Sequence, residues 1–497
     1  MKKGNPIFYR TMLLTGANFL LRLAAMGFQV FLSRRIGAEG VGLLHLVMSV
    51  SALSFTVGSA GVRTCATYLS AGELGRGRPE RVGSVLSGCC QYSLLFSSAA
   101  AAALWCAAPW LCRVWIGSRA ALAALRLSAL FLPVRCLQGV LTGYFTAAER
   151  TGALVAAAFL EQGCAMAVTF LLLSRWAGLD AGQAAFAVTA GGGCADVLGL
   201  LILLLARRGQ RRRGPVPYGS ILRTALPLAL ADTLRSGLNT IEDLIIPRRL
   251  ALFAGTVNAM ADYGMLRGMV FPVLMFPAAA LFSLAELLTP EFSRCAARGS
   301  RNRVRYLARR GLRAAMLFGL CAGGLLFTLA GPLGTLLYGN GEVGRMLRLY
   351  APFVPLLYAD ALVDAMCKGL GQQNANARYN TLTSFLDAAL LWLLLPRLGL
   401  GGYYFSFAAS HLLNFALSLR RLTLAADIRP EPGKPALAAV CTAAAAAAAS
   451  LTAGNGSLLA PGGCYLLLLG TLWSLFRVAG KEDVQWLMSL IAGRCRS

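Results

Sequence analysis

The sequence is short of charge. Only 14% of its 497 residues are Asp, Glu, Lys or Arg, whereas a soluble domain carries about 25%, so the polar surface that a water-soluble fold of this size needs is missing. Histidine is nearly absent: His45 and His411 are the whole supply, and neither stands at metal-ligand spacing from a cysteine. The 14 cysteines form no CxxC pair. Most of them, such as Cys65, Cys89, Cys90, Cys106, Cys164, Cys321 and Cys441, fall inside apolar stretches, where they read as small hydrophobic filler. Lysine occurs at five positions and no G-x-x-x-x-G-K-[ST] loop occurs, so ATP does not drive this chain directly. The motifs G-x-S-x-G and H-E-x-x-H are missing, as is any extended loop with paired carboxylates. No enzyme chemistry, cofactor or metal is therefore expected. A membrane-embedded glycosyltransferase would need carboxylates or histidines clustered near one membrane face, and the short outer loops supply few.

What the sequence has is apolar length. It is 57% hydrophobic, with a mean hydropathy of +0.63. Stretches of about 20 apolar residues recur, each able to cross about 30 Å of hydrocarbon. With no water there, backbone N–H and C=O groups must pair within the segment, so these stretches are expected to be helices. Fourteen spans are expected, near 9–33, 42–69, 84–110, 121–147, 152–174, 183–206, 220–246, 263–289, 312–337, 347–368, 377–396, 401–419, 435–453 and 458–478. The first is long and carries Arg22, which favours a membrane span over a cleaved signal peptide. The fold class expected is an all-α polytopic membrane protein.

The net charge of +26 does not point to nucleic acid, because no soluble segment shows a basic face interleaved with aromatics. Instead the basic residues crowd into alternate loops. Roughly 30 lie on the side that holds both termini, against about 10 on the other, which predicts cytoplasmic termini in a bacterial inner membrane. The same residues suit anionic membrane lipids. In the tail at 481–497, Val484, Leu487, Met488 and Ile491 share a helical face beside Lys481 and Arg494, predicting an amphipathic helix on the membrane surface. The alanine run at 443–449 makes the thirteenth span weak and dependent on its neighbours.

The chain repeats itself. Leu125-Arg126-Leu127 with Phe131-Leu132-Pro133 recurs as Leu347-Arg348-Leu349 with Phe353-Val354-Pro355, a shift of 222 positions. Gly143 and Phe159-Leu160-Glu161 recur as Gly369 and Phe385-Leu386-Asp387, a shift of 226. Two six-helix lobes in parallel orientation are expected, at 1–206 and 220–422, joined by a basic linker at 207–219 and followed by two further helices at 435–478.

Charged side chains in mid-span are costly, at about 2.5–3.5 kcal/mol each on insertion scales, and here they align. Asn18, Arg22 and Gln29 share one face of span 1. His45, Ser49, Thr56, Ser59 and Arg63 share a face of span 2, and Asp232, Arg235, Asn239 and Glu242 one of span 7. Span 8 adds Arg267 before Pro272 and Pro277, which should bend it. Arg235 has Asp232 and Glu242 within helical reach, whereas Arg22 and Arg63 have no carboxylate on their own spans. Guanidinium groups so placed suit bidentate capture of phosphate oxygens. Asp360, Asp364 and Lys368, spaced by four, form either a self-satisfied ladder or, with Asp387, a site for a coupling H+ or Na+.

Several motifs resemble a known family. Leu13-Leu14-Thr15-Gly16, Phe28-Gln29-Val30 and Leu32-Ser33-Arg34-Arg35-Ile36-Gly37-Ala38-Glu39-Gly40-Val41-Gly42 open the first half. Ile246-Pro247-Arg248-Arg249-Leu250, Tyr263-Gly264, Gly268-Met269 and Leu288-Thr289-Pro290-Glu291-Phe292-Ser293 follow in the second. In order and spacing these resemble the polysaccharide-flippase branch of the multidrug/oligosaccharidyl-lipid/polysaccharide exporter superfamily, most nearly its stage V sporulation protein B-like members, which are similar to lipid II flippases. The resemblance implies twelve core helices plus two. It implies a flippase that carries an undecaprenyl-pyrophosphate-linked oligosaccharide or peptidoglycan precursor outward through a cavity between the lobes. It also implies that arginines on the first, second and eighth helices engage the pyrophosphate, and Arg22, Arg63 and Arg267 occupy similar helices here. A cation-coupled small-molecule antiporter of the same superfamily and a non-transporting envelope scaffold are the competing readings.

Overall fold

A computed structural model describes residues 6–176, 180–207, 215–428, 433–452, 458–478 and 480. Among these, every regular element is helical. By internal contacts the chain divides into two units, Met1–Gly264 and Met265–Ser497. The expected surface helix at 481–497 lies outside the described residues.

The first unit contains α1 (Pro6–Ser59), α2 (Val62–Gly75), α3 (Pro79–Trp110), α4 (Leu122–Ala147), α5 (Thr151–Arg175), α6 (Ala181–Ala206), α7 (Tyr218–Leu250) and α8 (Ala259–Gly264). At 54 residues, α1 would run about 80 Å if straight, far more than one crossing. Gly37, at φ 70° and ψ 176°, interrupts it and divides spans 1 and 2. That region of backbone space is essentially open to glycine alone. A second break, Ala60-Gly61, separates α1 from α2. The Tyr92 hydroxyl donates to the Ala60 carbonyl at 3.2 Å and holds the break against α3.

The second unit contains α9 (Phe271–Met275), α10 (Ala278–Ala297), α11 (Arg301–Tyr338), α12 (Gly341–Tyr350), α13 (Val354–Gly369), α14 (Gln373–Leu398), α15 (Leu400–Ala426), α16 (Gly433–Ser450) and α17 (Leu459–Leu475). Span 8 bends by 60° between Met275 and Ala278, where Pro277 removes a backbone donor, as the prolines predict. The alanine-rich α16 packs on α11 and α17, burying Ala445, Ala446 and Ala449 beside Tyr465. The Tyr465 hydroxyl reaches the Cys321 carbonyl at 2.9 Å.

All fourteen expected spans are helical. Eight helical stretches are long and apolar enough to cross a membrane, and the bent pair around Pro277 makes a ninth. One of the eight, Phe19–Gly75, covers two expected spans. The remaining expected spans miss that criterion for visible reasons. Charged residues run along α7, arginines close α15, alanine is only weakly apolar in α16, and α17 has just 17 residues. Side-chain exposure confirms the setting: Leu205, Leu467 and Leu475 are 83%, 73% and 73% exposed. Water would penalise such a surface, whereas lipid does not.

The sequence repeat recurs as packing. Gly143 on α4 faces α2, where an added Cβ would stand 2.5 Å from the Arg63 carbonyl oxygen. Gly369 on α13 faces α10, where a Cβ would stand 2.6 Å from the Thr289 carbonyl oxygen. Both partners are displaced by the same 226 positions, so each half uses one small residue to bring two helices close. The linker suggests a boundary at 207–219, yet α7 packs within the first unit, because small residues draw it there. An added Cβ on Gly61 would meet the Ala225 carbonyl oxygen at 2.7 Å, and Ile221 and Ala225 belong to the buried cluster formed by α2, α3 and α4. The cysteines among the described residues are free thiols, and most are at least partly buried, as filler should be.

Candidate substrate and coupling sites

The first unit carries Arg22, Gln29, Arg63 and Arg235. Arg22 is exposed and Gln29 half-buried on the first leg of α1. The side chain of Asn18 lies outside the described residues. Arg63 is exposed one residue inside the start of α2, so the Ala60-Gly61 break sets its position. On α7, Asp232 and Arg235 are exposed while Glu242 is buried. Among the described residues no ion pair joins Arg235 to either carboxylate, so the pairing that helical spacing allows is not made.

Sequence periodicity missed the polar contact that does join spans 2 and 7. The Ser49 hydroxyl donates to Asp243 Oδ2 at 2.7 Å, and Thr240 donates to the Ser49 carbonyl at 3.2 Å. Asp243 stands one residue off the stripe that ends at Glu242, and only the packed partner helix reveals it. A second cluster lies across α4, α5 and α6. Gln138 Nε2 donates to Glu161 Oε1 at 2.6 Å, and Gly199 leaves the space that this pair occupies. Asp196 lies within electrostatic reach of Glu161 and of Arg135, and the Arg135 guanidinium sits over the Phe55 ring at 4.6 Å. These residues come from separate spans, so no single-helix pattern exposes them.

The second unit carries Arg267 and the remaining carboxylates. Arg267 is half-buried in a π-helical turn, with its guanidinium 5.8 Å from the centre of the Phe271 ring, a cation–π distance. Phe271 in turn packs against Tyr350 and Phe407, and Phe407 against His411 at 4.2 Å. The acidic residues reach sideways instead of along their own helix. Asp360 on α13 accepts from Asn414 Nδ2 on α15 at 2.9 Å, and Asp364 accepts from Asn376 Nδ2 on α14 at 2.7 Å. Lys368 stands at 4.0 Å from Asp364, so one rung of the expected ladder forms, at the limit of an ion pair. Asp387 accepts from Ser406 at 2.6 Å. Asp360 Oδ1 and Asn376 Oδ1 are buried without a hydrogen-bond partner among the described residues. Two unfilled oxygen acceptors beside carboxylates are the chemistry that a proton or a hard monovalent cation satisfies.

Comparison with known proteins identifies the family and the fold. The family model for lipid II flippase MurJ matches residues 79–469. Stage V sporulation protein B of Bacillus subtilis (strain 168) is 21% identical over 404 residues, covering 79% of this chain and 78% of that protein. Sporulation protein YkvU of the same organism is 24% identical over 275 residues, covering 53% and 61%. Among solved structures, the lipid II flippase MurJ in an inward closed conformation superposes with a TM-score of 0.68 at 12% identity, covering 94% of this chain and 98% of that one. An inward-facing multidrug resistance MATE transporter of the MOP superfamily gives 0.67 at 15% identity, covering 82% and 96%. These two superpositions speak for the fold. The chain belongs to the lipid II flippase MurJ family, multi-pass membrane transporters that flip lipid-linked cell-wall precursors.

Proposed function

We propose that this flippase moves an undecaprenyl-pyrophosphate-linked oligosaccharide or peptidoglycan precursor from the cytoplasmic to the outer leaflet by alternating access, with both termini in the cytoplasm. The observation that carries the reading is the presence of arginine inside helices of the bundle, away from their ends or at a break. Arg22, Arg63 and Arg235 present exposed guanidinium groups, and Arg267 is held beside an aromatic face. A guanidinium keeps its charge and offers paired donors matched to pyrophosphate oxygens. Asn18 and Gln29 share the face of Arg22 and are assigned to polar contacts with the same ligand.

The carboxylates of the second unit are assigned to coupling. Asp360, Asp364 and Asp387 sit among Asn376, Asn414 and Ser406, neutral donors that leave a negative charge for a proton or Na+ to meet. Binding of that ion to one conformation more tightly than to the other is what shifts the populations. Asp232 and Glu242 on α7 belong to the same proposal, as groups whose charge changes with the transport state.

One observation favours a second reading. The aromatic nest around Phe271, Tyr350 and Phe407, with Asp387 bonded to the adjacent Ser406, offers rings and a carboxylate of the kind a cation-coupled antiporter of organic cations would use. Proteoliposomes decide between them. With a fluorescent undecaprenyl-pyrophosphate oligosaccharide, wild type should flip, while Arg22→Ala and Arg63→Ala, folded and inserted, should flip at least about tenfold more slowly. Export of a cationic dye under an ion gradient with no flipping would replace this reading by the antiporter. Neither activity in folded, inserted protein would leave the scaffold.

A further inference from the structure

An apolar groove of about 410 Å³ runs between α1, α3 and α7 in the first unit, and neither the substrate nor the coupling assignment uses it. It exists because α7 lies along α1 and only brushes α3. Ala100, Ala103 and Ala107 line it from α3, Val57 from α1, and Ile241 and Leu244 from α7. The two hydroxyls in its wall are already engaged: Ser54 donates to the Val50 carbonyl at 3.0 Å and Thr240 to the Ser49 carbonyl at 3.2 Å. What remains for an occupant is hydrocarbon surface, where a polar ligand would lose its own hydrogen bonds. Left empty, the groove would forfeit dispersion contacts along its lining.

Size and ends narrow the occupant. From Ala100 to Trp110 the wall rises about 15 Å along α3, at about 1.5 Å per residue. That is the depth of one leaflet, half of a hydrocarbon core of about 30 Å. Taking a methylene as about the size of a liquid water, roughly 30 Å³, the groove holds about 14 of them. One phospholipid acyl chain fits this volume, whereas an undecaprenyl tail, several times longer, overfills it. One end of the groove is amphipathic. Trp110 and Trp115 line it there, edge to face with ring centres 6.3 Å apart, and the Arg248 guanidinium lies 5.3 Å from the Trp115 ring centre. Arg248 follows Leu244 by four residues on α7, so it continues the lining face of that helix, and its side chain is exposed. Tryptophan settles at the headgroup level of a membrane, and a guanidinium beside it suits a phosphate.

We propose that this groove binds an anionic phospholipid of the leaflet in which α3 and α7 end. Its phosphate meets Arg248, its glycerol lies level with Trp110 and Trp115, and one acyl chain runs along Ala107, Ala103 and Ala100. The chain braces α7 against α3 where the two helices themselves make little contact. The site is independent of the flippase reading and shares none of its assigned residues.

The test uses the full chain in phosphatidylcholine vesicles doped with a phosphatidylglycerol that carries a photoactivatable group along one acyl chain. Crosslinks should map to 50–57, 100–107 and 240–244. Added unlabelled phosphatidylglycerol should compete them away, whereas equal amounts of phosphatidylcholine or undecaprenyl pyrophosphate should not. Ala103→Trp, which fills the groove and keeps every charge, should lower labelling at least tenfold. Arg248→Gln should lower it about fivefold, the effect of about 1 kcal/mol for one basic residue near a membrane surface. Should Ala103→Trp fold poorly, Arg248→Gln decides, since it alters no lining residue. Labelling that persists in a folded Ala103→Trp, or that Arg248→Gln leaves unchanged, overturns the proposal. Equal competition by phosphatidylcholine overturns it by removing the preference for an anionic head. Competition by undecaprenyl pyrophosphate overturns it too, by giving the groove to the substrate's tail.

Discussion

Replacing glycines one at a time by alanine separates two costs that the fold imposes at its opening helices. At Gly37 the backbone is at φ 70° and ψ 176°, and an added Cβ meets nothing within 4 Å. Gly37→Ala therefore isolates the conformational penalty, about 1–3 kcal/mol. At Gly61 a backbone φ of 71° is joined by contact: a Cβ would stand 2.7 Å from the Ala225 carbonyl oxygen and 3.0 Å from Ala229 N and Leu228 Cβ. Two of those atoms are backbone and cannot swing aside, so an overpacking cost of about 1–3 kcal/mol adds to the torsional one. Gly61→Ala should cost about 2–6 kcal/mol in all. Gly72 is helical and exposed, with open space around it, and Gly72→Ala should be neutral or stabilising by up to about 1 kcal/mol. Thermal unfolding in one detergent, with flipping measured in parallel, reads all three. The expected order of Tm is Gly72→Ala at or above wild type, then Gly37→Ala, then Gly61→Ala. Because Arg63 follows two residues after Gly61, flipping should fall in Gly61→Ala further than the loss of folded protein explains. A Gly61→Ala protein as stable and active as wild type would refute both the close approach of α2 to α7 and its role in setting Arg63.

Three further outcomes follow from the same contacts. Arg63→Lys keeps the charge but loses the planar fork, so it should retain part of the flipping that Arg63→Ala loses, the latter by roughly 10–100-fold if bidentate charge-assisted bonds of about 1.5–3 kcal/mol are removed; equal rates for the two would remove the fork from the argument. Gln138→Leu takes the amide donor from Glu161 and should lower stability by about 1–3 kcal/mol, with Gln138→Leu/Glu161→Leu recovering part of the loss in unfolding experiments. Asp360→Asn should abolish the dependence of transport on a Na+ or H+ gradient while leaving lipid-precursor binding measurable, and unchanged gradient dependence would take Asp360 out of coupling.

The stripes on spans 1, 2 and 7 were legible because a helix returns to the same face every three or four residues, and a charge in an apolar run stands out against its background. The same periodicity misjudged what those residues touch. Arg235 has carboxylates at helical spacing but no ion pair with them, and the ladder of Asp360, Asp364 and Lys368 is for the most part replaced by contacts to α14 and α15. Asp243, Gln138 and Asp196 gave no signal, and Glu161 stood out only through the repeat that pairs it with Asp387, since each contributes one polar group to a contact completed by another helix.

The sequence by itself determined that this chain is a bundle of membrane-crossing helices with an internal repeat, because hydrocarbon forces every backbone group to pair within its own segment and the lengths of the apolar runs then count the crossings. It also determined where the costly arginines lie along the chain. The tertiary structure alone decided which helices touch: Gly61 brings α7 to α2, Gly143 and Gly369 bring equivalent helix pairs together 226 positions apart, and Arg248 meets Trp115 at the end of an apolar groove. Such contacts depend on small residues that permit close approach and on polar groups that find partners across a gap. Neither leaves a period in the sequence.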